Sequence, residues 1–158
     1  LGPLTMGACR SLNLLLGLAI LGSPTFLICL LPFLFVAAIT ITSKAEVTGN
    51  NKMAIATALG IDLLIGNCII MLSILQVIQF WMVLPYLSLW LLMNIKAKLT
   101  AIQINEPKNI QKAVKTAVIS LIPLNAVYAA GFGGWVAGLI VLALFPISIH
   151  LSKRFAVT

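Results

Sequence analysis

Residues 53–73 read MAIATALGIDLLIGNCIIMLS and contain a single charged side chain, that of Asp62. A helix needs about 20 predominantly apolar residues to cross a hydrocarbon core about 30 Å thick, and this stretch is long enough. The rest of the 158-residue chain has the same character, because 61% of its residues are hydrophobic and 8% are charged. Since a water-soluble domain has roughly a quarter of its residues charged, the composition excludes a soluble globular protein.

Five further apolar stretches bring the predicted number of membrane spans to about six. The spans are residues 4–21, 24–42, 53–73, 76–94, 116–130 and 135–151. The fifth is short unless its helix begins at Pro107, a residue type that is favoured in the first turn. Glycines at 131, 133 and 134 predict a turn before the sixth span. The predicted fold is all-α, a polytopic helical bundle that forms one membrane domain over residues 1–158.

The positions of the basic residues support an even number of spans. Arg10, Lys44, Lys52, the five lysines between positions 96 and 115, and the final Lys153 and Arg154 all fall on one side of a six-span topology. The three connections on the other side carry no charge. Because Lys and Arg are retained on the cytoplasmic side of short loops, both ends of the chain are expected in the cytoplasm.

The net charge of +7 does not indicate nucleic-acid binding. The basic clusters lack the interleaved aromatic residues on which bases stack. Three acidic residues and one histidine, His150, are also too few for a catalytic triad, a zinc site or a pair of neighbouring catalytic carboxylates. Any chemistry is therefore expected to depend on a few polar positions.

The connection from Ser43 to Lys52 is the first such position. Ser43, Glu46 and Asn50 share one face if this segment is helical, and Lys44 and Lys52 lie beside them. Oxygen ligands next to lysines could bind a hard cation together with a phosphate group. The alternative is an ordinary hydrophilic connection between two helices.

The second set of polar positions that could carry chemistry lies within the predicted spans. Asp62 lies ten residues into its span, near mid-membrane at about 1.5 Å per residue. Such a residue usually faces a partner or a cavity, so Asp62 could be protonated and hydrogen-bonded between helices, or it could mark a transport pathway. Arg10 and Asn13 form a comparable polar pair on the first span.

Three stretches of the chain resemble the UbiA superfamily of intramembrane prenyltransferases, and in particular its bacterial UbiA-like EboC subgroup. They are GPLTMGACRSLNLLLG at residues 2–17, SxxEVxG at 43–49 and KAVKTAVISL at 112–121. The resemblance implies a UbiA-like helical fold in the bacterial inner membrane, around a central cavity. It also implies that the chain is the carboxy-terminal portion of a longer protein, with residues 43–52 in the place of the second Asp-rich motif.

The resemblance further implies transfer of an isoprenoid group from a prenyl diphosphate to a lipophilic acceptor. Lys44 and Lys52 are then expected to bind the diphosphate, while Glu46 and Asn50 coordinate Mg²⁺. Arg10, Asn13 and Asp62 are expected to line the cavity. The connection departs from the family pattern because it carries one carboxylate, so the alternative is a membrane protein that binds or transports an isoprenoid without catalysis.

Overall fold

The structure is a computed structural model that describes residues 2–19, 26–48 and 52–154. Every regular element in these ranges is an α-helix, which confirms the predicted all-α class. The helices are α1 (Gly2–Ala19), α2 (Phe26–Thr48), α3 (Lys52–Ile74), α4 (Phe80–Gln103), α5 (Pro107–Ile119), α6 (Leu121–Leu142) and α7 (Leu144–Arg154).

Three stretches of the described chain are helical, apolar and long enough to span a membrane. They are α3, α4 and the stretch Pro107–Leu151, which contains α5, α6 and most of α7. A shorter apolar segment, Ile28–Lys44, lies in α2. Large apolar side chains such as Met53 and Trp81 are mostly exposed, as expected for helices surrounded by lipid. These features are those of a helical membrane protein.

Two prolines determine where helices end in the last third of the chain. Proline has no N–H to donate to the carbonyl four residues earlier. Pro123 therefore removes the bond to Ile119, where α5 ends, and Pro146 removes the bond to Leu142, where α6 ends. The residues at both breaks keep right-handed helical dihedral angles. Each break is therefore a local irregularity and not a reversal of the chain.

The predicted end of the fourth span at Asn94 is wrong, because α4 continues to Gln103. The physical reason is that Lys98, which marks a polar connection when the sequence is read alone, is buried in the protein. The helix ends shortly before Pro107, whose ring disfavours helical geometry at the preceding residue. A helix does begin at Pro107, the start that the sequence allows for a longer fifth span.

The chain divides into two compact units. Unit 1 contains Leu1–Ile65 and Lys98–Val114, and unit 2 contains Gly66–Ala97 and Lys115–Thr158. In unit 1, α1 packs against α2 at Gly7, where an added Cβ would lie 2.8 Å from the Phe33 ring. Close packing of two membrane helices commonly requires such a small residue.

In unit 2, the predicted glycine turn is confirmed at Gly134. Its φ of 82° lies in the left-handed region and interrupts α6, and glycine adopts this conformation without steric cost. A Cβ added at Gly138 would lie 2.8 Å from the Cβ of Ala130. Eight residues of a continuous helix extend about 12 Å, so the chain must fold back at Gly134 to bring these positions together.

The α3–α4 connection lies next to this turn within unit 2. The backbone N–H of Gln79 donates to the Gly131 carbonyl over 3.4 Å. A Cβ added at Gly131 would lie 3.1 Å from the Ile78 side chain. The turn that ends α3 also contains Gln76, which has a positive φ of 62°. Two of the three connections that the sequence predicts to be uncharged therefore meet at one end of unit 2.

Candidate functional site

The most polar buried cluster among the described residues lies in unit 1 and is centred on Lys98 of α4. The Lys98 Nζ atom donates to Asp62 Oδ2 over 2.5 Å and to the Ala58 carbonyl over 3.2 Å. It also lies 5.9 Å from the centroid of the Phe35 ring. Lys98 and Asp62 have no exposed side-chain surface. The lysine therefore contacts both α2 and α3.

The sequence places the acceptors of Lys98 on one face of α3. Ala58 and Asp62 are four residues apart, which brings their positions together on adjacent helical turns. One ammonium group can therefore bind the carbonyl of the first and the carboxylate of the second. Because a bare charge is very costly in a low-dielectric interior, the lysine and the aspartate each compensate the other.

One atom of this cluster retains hydrogen-bonding capacity. Asp62 Oδ1 is buried, and no group in the described part of the chain donates a hydrogen bond to it. An ionised carboxylate has two acceptor oxygens, and Lys98 contacts one of them. Asp62 can therefore accept a further donor without losing the ion pair.

The ion pair bears on one of the two interpretations of Asp62 that the sequence allows, a hydrogen bond between helices. Asp62 does bond between helices, as one interpretation holds, but its partner is a lysine and not a neutral group. Sequence analysis misses this partner because Lys98 follows an apolar span and resembles a loop residue. The sequence does contain one sign that the helix extends to Lys98. Lys98 lies four residues after Asn94, so the two polar residues would share one face of a longer helix.

The α2–α3 connection is the second part of the candidate site. Lys44 and Lys52 are exposed, and they lie near the end of α2 and at the start of α3. α2 is helical through Thr48, so Glu46 lies in a helix one turn after Ser43. The Ser43 hydroxyl donates to the Thr40 carbonyl over 2.9 Å. The two lysines thus lie on either side of a short connection.

The predicted site residues are distributed between the described and the undescribed parts of the chain. Asn50 lies outside the described residues, and the same is true of the Glu46 side chain. On α1, Arg10 is half-buried and Asn13 is exposed. The role of Arg10, Asn13 and Asp62 in lining a cavity stays a prediction.

The donor set can be compared with what Mg²⁺ requires. The described residues contain no group of three or more His, Cys, Asp or Glu side chains that could hold a metal ion. Glu46 is the one carboxylate in residues 43–52. Mg²⁺ usually binds one or two carboxylates together with substrate phosphates and waters. One carboxylate is within the number that a single Mg²⁺ ion uses, and it is too few for a two-metal clamp.

A second polar link joins helices within unit 2. The Asn94 side chain donates to the Trp90 carbonyl and to the Ser120 hydroxyl, each over 2.9 Å. The Ser120 hydroxyl in turn donates to the Ala117 carbonyl over 2.8 Å. Ser120 occupies the break that Pro123 produces, so this link secures α4 to the irregular junction of α5 and α6.

Comparison of the chain with protein families, with characterised proteins and with solved structures gives no match.

Proposed function

We propose that this chain is a UbiA-type prenyltransferase homologue. It transfers an isoprenoid group from a prenyl diphosphate to a lipophilic acceptor, and its second Asp-rich motif is degraded. The observation that carries the proposal is the placement of Lys44 and Lys52, which are exposed at the end of α2 and the start of α3. Two lysines beside this connection provide the charge that a diphosphate needs, because ammonium–phosphate hydrogen bonds are charge-assisted.

The proposed topology has six crossings in the bacterial inner membrane, with both ends of the chain in the cytoplasm. The proximity of Ile78 to Gly131 supports it. Six crossings require the α3–α4 connection and the glycine turn to lie on the same side of the membrane. The α2–α3 connection then lies on the opposite, cytoplasmic side, where a water-soluble diphosphate headgroup is available.

In the proposed reaction the bond between the allylic carbon and the diphosphate oxygen breaks, and its electron pair leaves with the diphosphate. Lys44 and Lys52 stabilise the developing negative charge, as positioned cations do in phosphate sites. Glu46 and Asn50 would hold Mg²⁺, which supplies further charge neutralisation when bound. The acceptor then forms a bond to the allylic carbon and loses a proton. Arg10, Asn13 and Asp62 are proposed to line the cavity that excludes water.

The experiment measures binding and bond cleavage separately. The chain is reconstituted in lipid nanodiscs and given radiolabelled geranylgeranyl diphosphate, Mg²⁺ and a lipid extract as the source of acceptor. We expect saturable binding and Mg²⁺-dependent release of inorganic diphosphate. Glu46→Gln should retain binding and lose the release. A wild-type chain that binds no prenyl diphosphate would refute the proposal.

A second function, isoprenoid binding without catalysis, is favoured by one observation. The connection that replaces the second Asp-rich motif contains one carboxylate, that of Glu46. The same experiment distinguishes the two functions. Binding that is equal with and without Mg²⁺, and that is followed by no diphosphate release, would support the non-catalytic function.

A further inference from the structure

Helix α5 presents lysines on one face and packs the other face against the protein. Lys108, Lys112 and Lys115 are exposed, while Ile110 and Ala113 are buried. At 3.6 residues per turn, the three lysines lie within an arc of about 60° around the helix axis. We call these three residues the lysine stripe.

The chain that follows determines the depth of the lysine stripe in the membrane. The break at Ser120 keeps right-handed helical angles, so the helical path continues from α5 into α6. Residues 116–133 carry no charge and precede the reversal at Gly134. Their 18 residues extend about 27 Å, close to the hydrocarbon thickness of about 30 Å. The lysine stripe therefore lies in the headgroup layer.

Helix α5 carries basic side chains and no acidic ones. Residues 107–119 contain no Asp or Glu. Glu106 precedes the helix, and at 100° per residue it lies about 160° around the axis from Lys108. Anions that meet this face in the headgroup layer are supplied by the membrane itself, because lipid phosphates are the groups found at that depth.

We propose that the lysine stripe binds the headgroups of anionic phospholipids in the cytoplasmic leaflet. A basic residue near an anionic membrane surface contributes about 1 kcal/mol, or about fivefold in affinity. Three aligned lysines can contact neighbouring headgroups at once. Nucleic acid does not fit this position, because a polyanion would have to enter the headgroup layer to reach Lys115. The proposal does not depend on prenyl transfer.

The test uses the full chain in nanodiscs that contain equal amounts of phosphatidylcholine and phosphatidylglycerol. Native mass spectrometry of the released protein counts the molecules of each lipid that remain bound. We expect the wild type to retain phosphatidylglycerol preferentially. The preference should fall about fivefold for each lysine changed to Gln, and high salt should weaken it. The triple variant Lys108→Gln, Lys112→Gln, Lys115→Gln should show almost no preference.

Two control variants distinguish the effect of the stripe's positive charge from that of any other change in the protein. The corresponding triple Arg variant retains the charge and should retain the preference, and Lys96→Gln removes an exposed lysine of α4 and should change it little. A triple Gln variant that is folded, by circular dichroism, and still prefers phosphatidylglycerol would overturn the proposal. Release of the bound lipid by millimolar inorganic phosphate would overturn it too, because the ligand would then be free phosphate.

Discussion

Lys98 of α4 and Asp62 of α3 form an ion pair with 2.5 Å between Nζ and Oδ2, and neither side chain is exposed. The pair explains how α4 can bury the charged side chain of Lys98. Ala58 accepts a second hydrogen bond from the same ammonium group. Since the desolvation of both charges offsets much of their attraction, the pair stabilises the fold little compared with two apolar residues, but either charge alone is costly.

Removal of one partner should therefore destabilise the protein more than removal of both. We expect Lys98→Met or Asp62→Leu to lower the free energy of unfolding by about 3–5 kcal/mol, because each leaves a buried charge without its partner. The double variant should recover most of this loss. Unfolding of the purified protein in mixed micelles, followed by circular dichroism as denaturing detergent is added, measures the difference.

The matched control is Lys96→Met, which removes an exposed lysine two positions earlier in α4. Its effect should stay within about 0.5 kcal/mol, as for most surface substitutions. Losses from Asp62→Leu and Lys98→Met that simply add in the double variant would show that the two charges do not depend on each other.

The helical class and most helix positions could be predicted because they depend on local properties. Apolar length predicts spans, and the glycines near position 134 predict a turn, since only local dihedral preferences are involved. The end of α4 could not be predicted in this way. Lys98 is tolerated at a buried position of α4 because of Asp62, which lies 36 residues earlier in the chain. Reading local sequence therefore treats Lys98 as a solvated loop residue.

The candidate site also contains residues that local sequence identifies and contacts that only tertiary packing determines. Lys44 and Lys52 could be recognised because they lie only eight positions apart in the sequence, on either side of a polar connection. The bond from Asn94 to Ser120 could not, because it depends on how α4 packs beside a break that Pro123 creates. Polar contacts between distant helices are set by packing, and a single sequence does not specify that packing.

Gly138→Val should disrupt the reversal at Gly134. A Cβ at position 138 would lie 2.8 Å from both Ala130 and the Tyr86 ring, and overpacking typically costs about 1–3 kcal/mol. The control is Gly60→Ala in α3, where an added Cβ has no neighbour within 4 Å. That change should stabilise the protein by about 0.5–1 kcal/mol. Detergent-induced unfolding measures both variants, and equal effects would contradict the packing at Gly138.

Loss of Lys44 or Lys52 should weaken binding of a prenyl diphosphate. A hydrogen bond to a charged group contributes about 1.5–3 kcal/mol, so each Gln variant should raise the Kd at least about tenfold. Lys96→Gln is the control, because it removes one exposed positive charge from a different helix. Filter binding of radiolabelled geranylgeranyl diphosphate gives the three Kd values. An equal increase in all three variants would indicate nonspecific attraction to the basic surface.

The glycine turn and the basic residues should lie on opposite sides of the membrane. Phe132 and Gln111 are both exposed, so each can be replaced by Cys in a background where Cys9, Cys29 and Cys68 are changed to Ala. In intact cells, a membrane-impermeant maleimide should label Phe132→Cys and not Gln111→Cys, because the lysines around Gln111 are retained in the cytoplasm. Both should be labelled once the cells are permeabilised. Labelling of Gln111→Cys from outside, or protection of Phe132→Cys until permeabilisation, would contradict the six-crossing topology and with it the cytoplasmic position of Lys44 and Lys52.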